Sequence, residues 1–302
     1  MREVVAFIER NVLRPQPIAR LVFVRVFAPL AILGFMSSRI LHADDWLSVA
    51  GFHVPDAVDW RQPISLPALP VWAAWSVAAA LAITGLATAA GLVTRWSSAA
   101  FAVLLAYVAL ADRLAAFTVS KISPVIVLAL CLSPSGARAS VDAWRRRRRD
   151  PSAVLPDQAS GGCVVFFQVF LPVFYCSSGI AKAQGDWVHH PYVLWTHLHD
   201  SYQTWVSWLL ANYLPTPLWG LFQRTVLVFE CVAPLWFALP WTRPFALAFG
   251  LGMHLMIGLM FGPVIWFSLL MMTLLVASYA PARWLSRVLR FEPPPPAAKR
   301  PA

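Results

Sequence analysis

The chain has 302 residues, of which 59% are apolar or aromatic and only 13% are charged. Soluble globular domains carry about 25% charged residues, so this composition disfavours a disordered protein, a secreted disulfide scaffold and an ordinary cytosolic enzyme. The formal net charge is +10, but five of the 24 basic residues form one run between apolar segments. Membrane topology therefore explains the charge better than nucleic-acid binding does.

The apolar runs are continuous rather than alternating, which excludes a membrane β-barrel and predicts an all-α, polytopic transmembrane helical bundle. A spanning helix needs about 20 predominantly apolar residues. By this measure we expect about eight spans, at residues 18–41, 69–93, 97–112, 119–132, 163–183, 217–239, 244–261 and 264–280. Residues 1–291 are predicted to form one transmembrane domain.

Three polar segments stand out from this apolar background. Residues 134–162 contain the arginine run and are predicted to form a basic cytoplasmic loop. Residues 187–214 are rich in tryptophan and histidine, and we expect them to lie along the membrane surface without crossing it. Residues 292–302 are rich in proline and are predicted to be a disordered tail.

The distribution of basic residues predicts the orientation in the membrane. If the N-terminus is cytoplasmic, the cytoplasmic segments hold 17 arginines and lysines, whereas the outer loops hold three, namely Arg61, Arg113 and Lys121. Cytoplasmic loops carry an excess of these residues, so we expect an integral protein of the bacterial inner membrane with both termini in the cytoplasm. The first apolar segment contains Arg25 and lacks a clear cleavage site, which predicts a retained span.

Ionisable groups inside the spans are costly there, which makes them the first candidates for function. Lys182 ends the fifth predicted span, and Glu230 and His254 lie inside the next two. A lysine withdrawn from water gives up its proton more readily and can act as a base. The alternatives are a lysine that extends to the headgroups, an interhelix hydrogen bond at Glu230 and a structural histidine.

Glu230 needs a partner on another helix unless it stays protonated. Arg224 precedes it by six residues, so the two do not share a helix face. The sequence leaves Arg25, His254 and Lys182 open as partners.

No metal centre is expected. Four histidines lie in the tryptophan-rich segment without the carboxylate or cysteine spacing of a zinc site, at His189, His190, His197 and His199. The four cysteines lie in or beside apolar segments, and none belongs to a CxxC pair.

One motif points to a known family. Gly179-Ile180-Ala181-Lys182 is followed by Asp186-Trp187, and this pattern is similar to one in vitamin K-dependent gamma-glutamyl carboxylase. Three further features agree, namely Ser140-Val141-Asp142, the Glu230 and Pro234 pair, and His254. The chain thus resembles the HTTM-domain membrane proteins, which include that carboxylase and the bacterial SdpB-like proteins.

The resemblance implies a vitamin K-dependent carboxylase-like protein that uses reduced vitamin K or menaquinol. Lys182 would be the catalytic base that deprotonates the quinol, and Glu230 and His254 would position or polarise it. Trp187 and Lys121 would contribute to cofactor binding, although Val119-Ser120-Lys121 stands where the carboxylase has an Asn-His pair. The printed chain lacks the carboxylase's large extramembrane region, so we expect quinol chemistry rather than carboxylation of a specific protein.

Alternatives to the enzyme remain open at this point. The chain could be a non-catalytic maturation factor or partner that binds an exported peptide or protein through the tryptophan-rich segment. It could also be a quinone-binding subunit of a larger redox complex, and a small-molecule transporter is a weaker alternative. All of these predict contact with the lipid bilayer and none with nucleic acid.

Overall fold

The computed structural model describes residues 9, 12–51, 64, 66–111, 117–199 and 202–289. The proline-rich tail and most of the first outer loop lie outside this range. The described helices, in chain order, are α1 (Ala19–Leu41), α2 (Ala43–Leu47), α3 (Val71–Ala90), α4 (Thr94–Ala111), α5 (Thr118–Cys131), α6 (Val141–Arg149), α7 (Gly162–Ala183), α8 (Asp186–His189), α9 (Val193–His197), α10 (Trp205–Tyr213), α11 (Thr216–Ala238), α12 (Arg243–Met260), α13 (Ile265–Tyr279) and α14 (Ala282–Val288).

The all-α bundle predicted from the sequence is confirmed. Among the described residues, seven helical segments are long and apolar enough to span a membrane. They are α1, α3, α4, α7, α11, α12 and the segment Gly262–Tyr279, which combines a short 3-10 turn with α13. The fourth predicted span corresponds to α5, which has 14 residues and is about 21 Å long, shorter than a hydrocarbon core of about 30 Å.

Helix α1 lies at the centre of the bundle. It packs against α3, α5, α13 and α14, while α7 packs against α11 and α13. One continuous core results, and it draws on buried side chains from every spanning helix. Because α13 contacts both α1 and α7, it joins the first half of the chain to the second.

Both ends of the described bundle lie on the same side. Arg20, near the start of α1, donates hydrogen bonds to the carbonyl oxygens of Ala277 at 2.5 Å and Ala280 at 3.0 Å, at the end of α13. The two-residue strand β1 (Gln16–Pro17) also pairs with β2 (Gln158–Ala159) in the loop before α7. The short α5 therefore returns the chain to the side on which it began, which agrees with an even number of crossings.

The arginine-rich helix α6 is fixed to this same side by Asp142. The Asp142 carboxylate accepts hydrogen bonds from the backbone N–H groups of Val93 and Thr94, each at 2.8 Å, and from the Thr94 hydroxyl at 2.7 Å. It thereby caps the N-terminus of α4. Behind it, the fully buried Arg25 donates to the carbonyl oxygen of Ala139. The segment that follows α5 is thus tied to α4 through Asp142 and to α1 through Ala139.

The hydrogen bonds at Asp142 predict an acid-sensitive fold. Burial raises the pKa of this carboxyl, but the hydrogen bonds from Thr94 and Val93 outweigh burial, and the pKa falls below its usual 3.8. A carboxyl with a depressed pKa stabilises the fold fully above its unfolded pKa, and this stability is lost as pH falls through the folded pKa.

Asp142→Asn should therefore lower the free energy of unfolding by about 1.5–3 kcal/mol at neutral pH, because charge-assisted hydrogen bonds are lost. The check is the melting temperature of the purified protein in detergent at pH 7 and at about pH 2.5, because the loss occurs below the usual carboxyl pKa of 3.8. Asp150→Asn, at an exposed carboxylate, is the matched control. An Asp142→Asn protein as stable as wild type at pH 7 would contradict this assignment.

Candidate functional site

The site is built around an ion pair between Lys182 and Glu230. Lys182 lies in the last turn of α7, and its Nζ is 2.6 Å and 2.7 Å from the two carboxylate oxygens of Glu230 in α11. The Glu230 side chain is 7% exposed and the Lys182 side chain is 27% exposed. Among the partners that the sequence left open, the structure thus identifies Lys182.

Gly179 permits the close approach of α7 and α11 that this pair requires. A Cβ atom at Gly179 would lie 2.7 Å from the backbone nitrogen of Cys231 and 2.9 Å from the Cβ of Glu230. Gly179 and Lys182 are three residues apart, so they share a face of α7. The glycine and the lysine of the motif are therefore one structural unit.

Pro234 interrupts the backbone hydrogen bonds of α11 one helical turn after Glu230. In a helix, the N–H of residue 234 would bond to the carbonyl of Glu230, but proline has no N–H. The Glu230 carbonyl oxygen thus lacks the hydrogen bond that a regular helix would supply from residue 234.

Trp187, which the resemblance implies as a cofactor-binding residue, lies beside the lysine. It belongs to α8, which follows α7 directly, and its ring centroid is 4.8 Å from the Lys182 Nζ. This is cation–π geometry. Asp186, the other residue of the pair, is 78% exposed and is 4.0 Å from His190, so it does not contact the lysine.

A second buried pair lies deeper in the same part of the bundle. The Tyr175 hydroxyl is 2.7 Å from Nε2 of His254 in α12, and both residues are buried. The other ring nitrogen, Nδ1 of His254, is buried and has no hydrogen-bond partner among the described residues. The Tyr175 ring also contacts Phe229, the residue before Glu230, with centroids 5.6 Å apart.

Tyr175 was missed by the sequence analysis, although a signal for it exists. Residues 175, 179 and 182 have the spacing i, i+4 and i+7, which places them on one face of a helix. One face of α7 therefore carries the tyrosine, the glycine and the lysine in that order toward the end of the helix.

The tryptophan-rich segment is held over the site by Gln223, a residue of α11 that the sequence analysis also missed. The fully buried Gln223 side chain donates from Nε2 to the carbonyl oxygens of Trp187 at 2.7 Å and His190 at 2.8 Å. Its Oε1 accepts from the backbone N–H of Leu194 at 3.0 Å. The segment consists of the short helices α8, α9 and α10, and none of these is long enough to span.

Lys121, the other predicted cofactor-binding residue, lies on α5 with an exposed side chain. Within the described ranges, no hydrogen bond or ion pair joins it to Lys182, Glu230 or His254. Its neighbour Ser120 is buried and accepts a hydrogen bond from Arg39 at 2.9 Å. The role of Lys121 therefore stays a prediction.

No metal-binding cluster of three or more His, Cys, Asp or Glu residues occurs in the part of the chain that the structure describes. The four histidines of the tryptophan-rich segment are all exposed. The absence of a metal in the function of this protein stays a prediction.

These features define a polytopic helical membrane protein with a lysine–carboxylate pair inside its bundle. The family model of the HTTM domain matches residues 13–284, so the chain belongs to the HTTM domain family. It is thus a membrane protein of the family related to vitamin K-dependent carboxylase. No curated protein and no solved structure matches the chain.

Gly179→Ala should weaken the packing of α7 against α11, because the added methyl group meets backbone rather than a flexible side chain. We expect a loss of about 1–3 kcal/mol in the free energy of unfolding. Gly252→Ala in α12 is the matched control, since a Cβ there meets nothing within 4 Å. Thermal denaturation in detergent measures both, and equal melting temperatures for the two variants would contradict the close approach.

The two partners of the ion pair should differ in their effect on stability. Lys182→Met leaves the buried Glu230 carboxylate without its cation, and removing one partner of a buried pair costs up to about 3–5 kcal/mol. Glu230→Gln should cost less, because the partly exposed lysine can still reach water. The double variant should recover part of the loss. The measurement is a double-mutant cycle of melting temperatures, and additive losses would argue against the pair.

Proposed function

We propose that this protein is a carboxylase-like membrane enzyme in which Lys182 and Glu230 together accept a proton from a reduced quinone. The observation that supports this proposal most strongly is the pairing of the Lys182 Nζ with both carboxylate oxygens of Glu230 inside a lipid-embedded bundle. Membership of the HTTM domain family supports the same chemistry, because this family is related to the vitamin K-dependent carboxylase.

Two kinds of group near the pair could contact a quinol ring, a polar ring nitrogen and aromatic side chains. The Nδ1 atom of His254 is buried without a partner among the described residues, so it could accept a hydrogen bond from, or donate one to, a hydroxyl group of a ligand. Trp187 and Phe229 supply aromatic surface at the same level. A mostly apolar site with a few polar groups is typical of small-molecule binding.

In the proposed step the ion pair accepts the quinol proton after its own proton moves from Lys182 to Glu230. Burial makes this transfer less costly than in water, because desolvation of the two charges offsets much of their attraction. When the lysine proton moves to the Glu230 carboxylate, Lys182 becomes a neutral amine. The amine can then accept a phenolic proton at Nζ, and Glu230 keeps the proton it received.

A bound reduced quinone would supply that proton and, with molecular oxygen as oxidant, the electrons for the reaction. Tyr175 holds His254 in one orientation through Nε2, which leaves the buried Nδ1 without a partner among the described residues. Trp187 lies beside the lysine and would place an aromatic ring against a bound quinol. The arginine-rich side of the bundle is proposed to face the cytoplasm of a bacterial inner membrane, which would place Lys182 toward the outer side.

The decisive experiment compares wild type with Lys182→Arg in lipid nanodiscs. Reduced vitamin K or menaquinol is supplied with oxygen, and epoxide is measured by mass spectrometry. Arginine keeps a cation for Glu230 but cannot become a neutral base, so we expect a loss of about 10²–10⁴-fold in rate with an unchanged melting temperature. Epoxide formation by Lys182→Arg at the wild-type rate, or none by folded wild type with any quinol, would overturn the proposal.

A second candidate function is a non-catalytic partner for an exported peptide, and one observation favours it. Trp205 and Trp208 of the segment over the site are 71% and 50% exposed. If this function is correct, Trp205→Ser with Trp208→Ser should abolish peptide capture while Lys182→Arg is tolerated. Trp72→Ser is the matched control, because Trp72 is equally exposed on α3.

A further inference from the structure

Arg224 presents a cation on the outward face of a spanning helix. It lies eight residues, about 12 Å, from the start of α11 and about 21 Å from its end. Its side chain is exposed, and in the described part of the chain it forms no hydrogen bond or ion pair. Because Glu230 follows six residues later, its carboxylate lies on a different face and is already paired with Lys182.

A groove between α11 and α12 begins at this arginine. Its volume is about 410 Å³, which is within the range of sites for small molecules. It extends along α11 over 12 residues, about 18 Å. Apart from Arg224 and Thr225, all its lining residues are apolar, namely Val228, Phe229, Trp236, Phe245, Ala246 and Phe249.

The polar end of this groove favours an anion. A lipid-exposed arginine within a span is unfavourable, and an anionic partner offsets that cost. Thr225 does not supply a counter-charge, since its hydroxyl is neutral and donates to the carbonyl of Leu221 in its own helix at 2.8 Å. A phosphate group pairs well with guanidinium, which offers several donors in a planar fork.

We infer that the groove between α11 and α12 binds an anionic phospholipid, with its phosphate on Arg224 and a hydrocarbon chain along Phe229 and Phe249. The charge at one end and the apolar lining over the remaining length match this amphiphile and no fully polar anion. The surrounding bilayer supplies the ligand directly, without an entry path from water.

The bound lipid would also support the candidate site. Phe229 lies between the groove and the buried Tyr175, with ring centroids 4.6 Å from Phe249 and 5.6 Å from Tyr175. A hydrocarbon chain in the groove would therefore pack against Phe229, which in turn packs against Tyr175 beside His254. This inference does not depend on the proposed function, because lipid binding is measured without quinol turnover.

The test is native mass spectrometry of the full chain, purified in detergent with phosphatidylglycerol or phosphatidylcholine as the added lipid. Wild type should retain one phosphatidylglycerol molecule. Arg224→Gln should weaken its retention about 10- to 150-fold, because a charge-assisted hydrogen bond to the phosphate is lost. Arg95→Gln, at an exposed arginine of α4, removes the same charge elsewhere and should leave retention unchanged.

A second variant tests the apolar part of the groove. Val228→Trp fills it from the lipid side and keeps the arginine, so retention should fall as in Arg224→Gln. Val169→Trp, at a comparably exposed valine of α7, is its control. Both groove variants can be checked for folding by their melting temperatures.

Three results would overturn the inference. The first is equal retention of the two lipids by wild type. The second is undiminished phosphatidylglycerol retention by folded Arg224→Gln or Val228→Trp. The third is stabilisation of wild type by inorganic phosphate to the same extent as by phosphatidylglycerol, which would show that a free anion occupies Arg224 rather than a lipid.

Discussion

A carboxylate inside a membrane needs a cation, and the second half of this bundle is arranged around that requirement. Glu230 is buried in α11, and Lys182 reaches it only because Gly179 lets α7 approach closely. The same requirement fixes the register of the two helices, since a shift by one residue would separate the charges. Stability and candidate chemistry therefore depend on the same few atoms, which is common where ionisable groups lie within membranes.

The sequence predicted the bundle well because its signals are local. Continuous apolar runs and arginines at their ends identify helices and sides, so the bounds of α1 and α7 lie within a few residues of expectation. The motif also contains Gly179, Lys182 and Trp187, and the structure brings these three residues together around Glu230. These predictions rest on spacing along one helix or its immediate continuation.

Contacts between distant helices could not be predicted in the same way. The sequence could not rank three possible partners for Glu230, because the hydropathy pattern does not determine which helices are neighbours in a bundle. Gln223 and Tyr175 were missed for a related reason, since each looks unremarkable within its own span. The cofactor-binding role of Lys121 remains a prediction. Its side chain is exposed, whereas its neighbour Ser120 is buried and bonded to Arg39.

The short helix α5 has a consequence for the surrounding membrane. Its lipid-facing side, which includes Val125 and Leu128, covers only about 21 Å of a layer that is about 30 Å thick. Hydrophobic mismatch of this size is relieved when nearby lipids compress and headgroups move inward. We therefore expect a local depression in the bilayer beside α5, into which the exposed Lys121 would extend and through which water would come closer to the protein than elsewhere on its circumference.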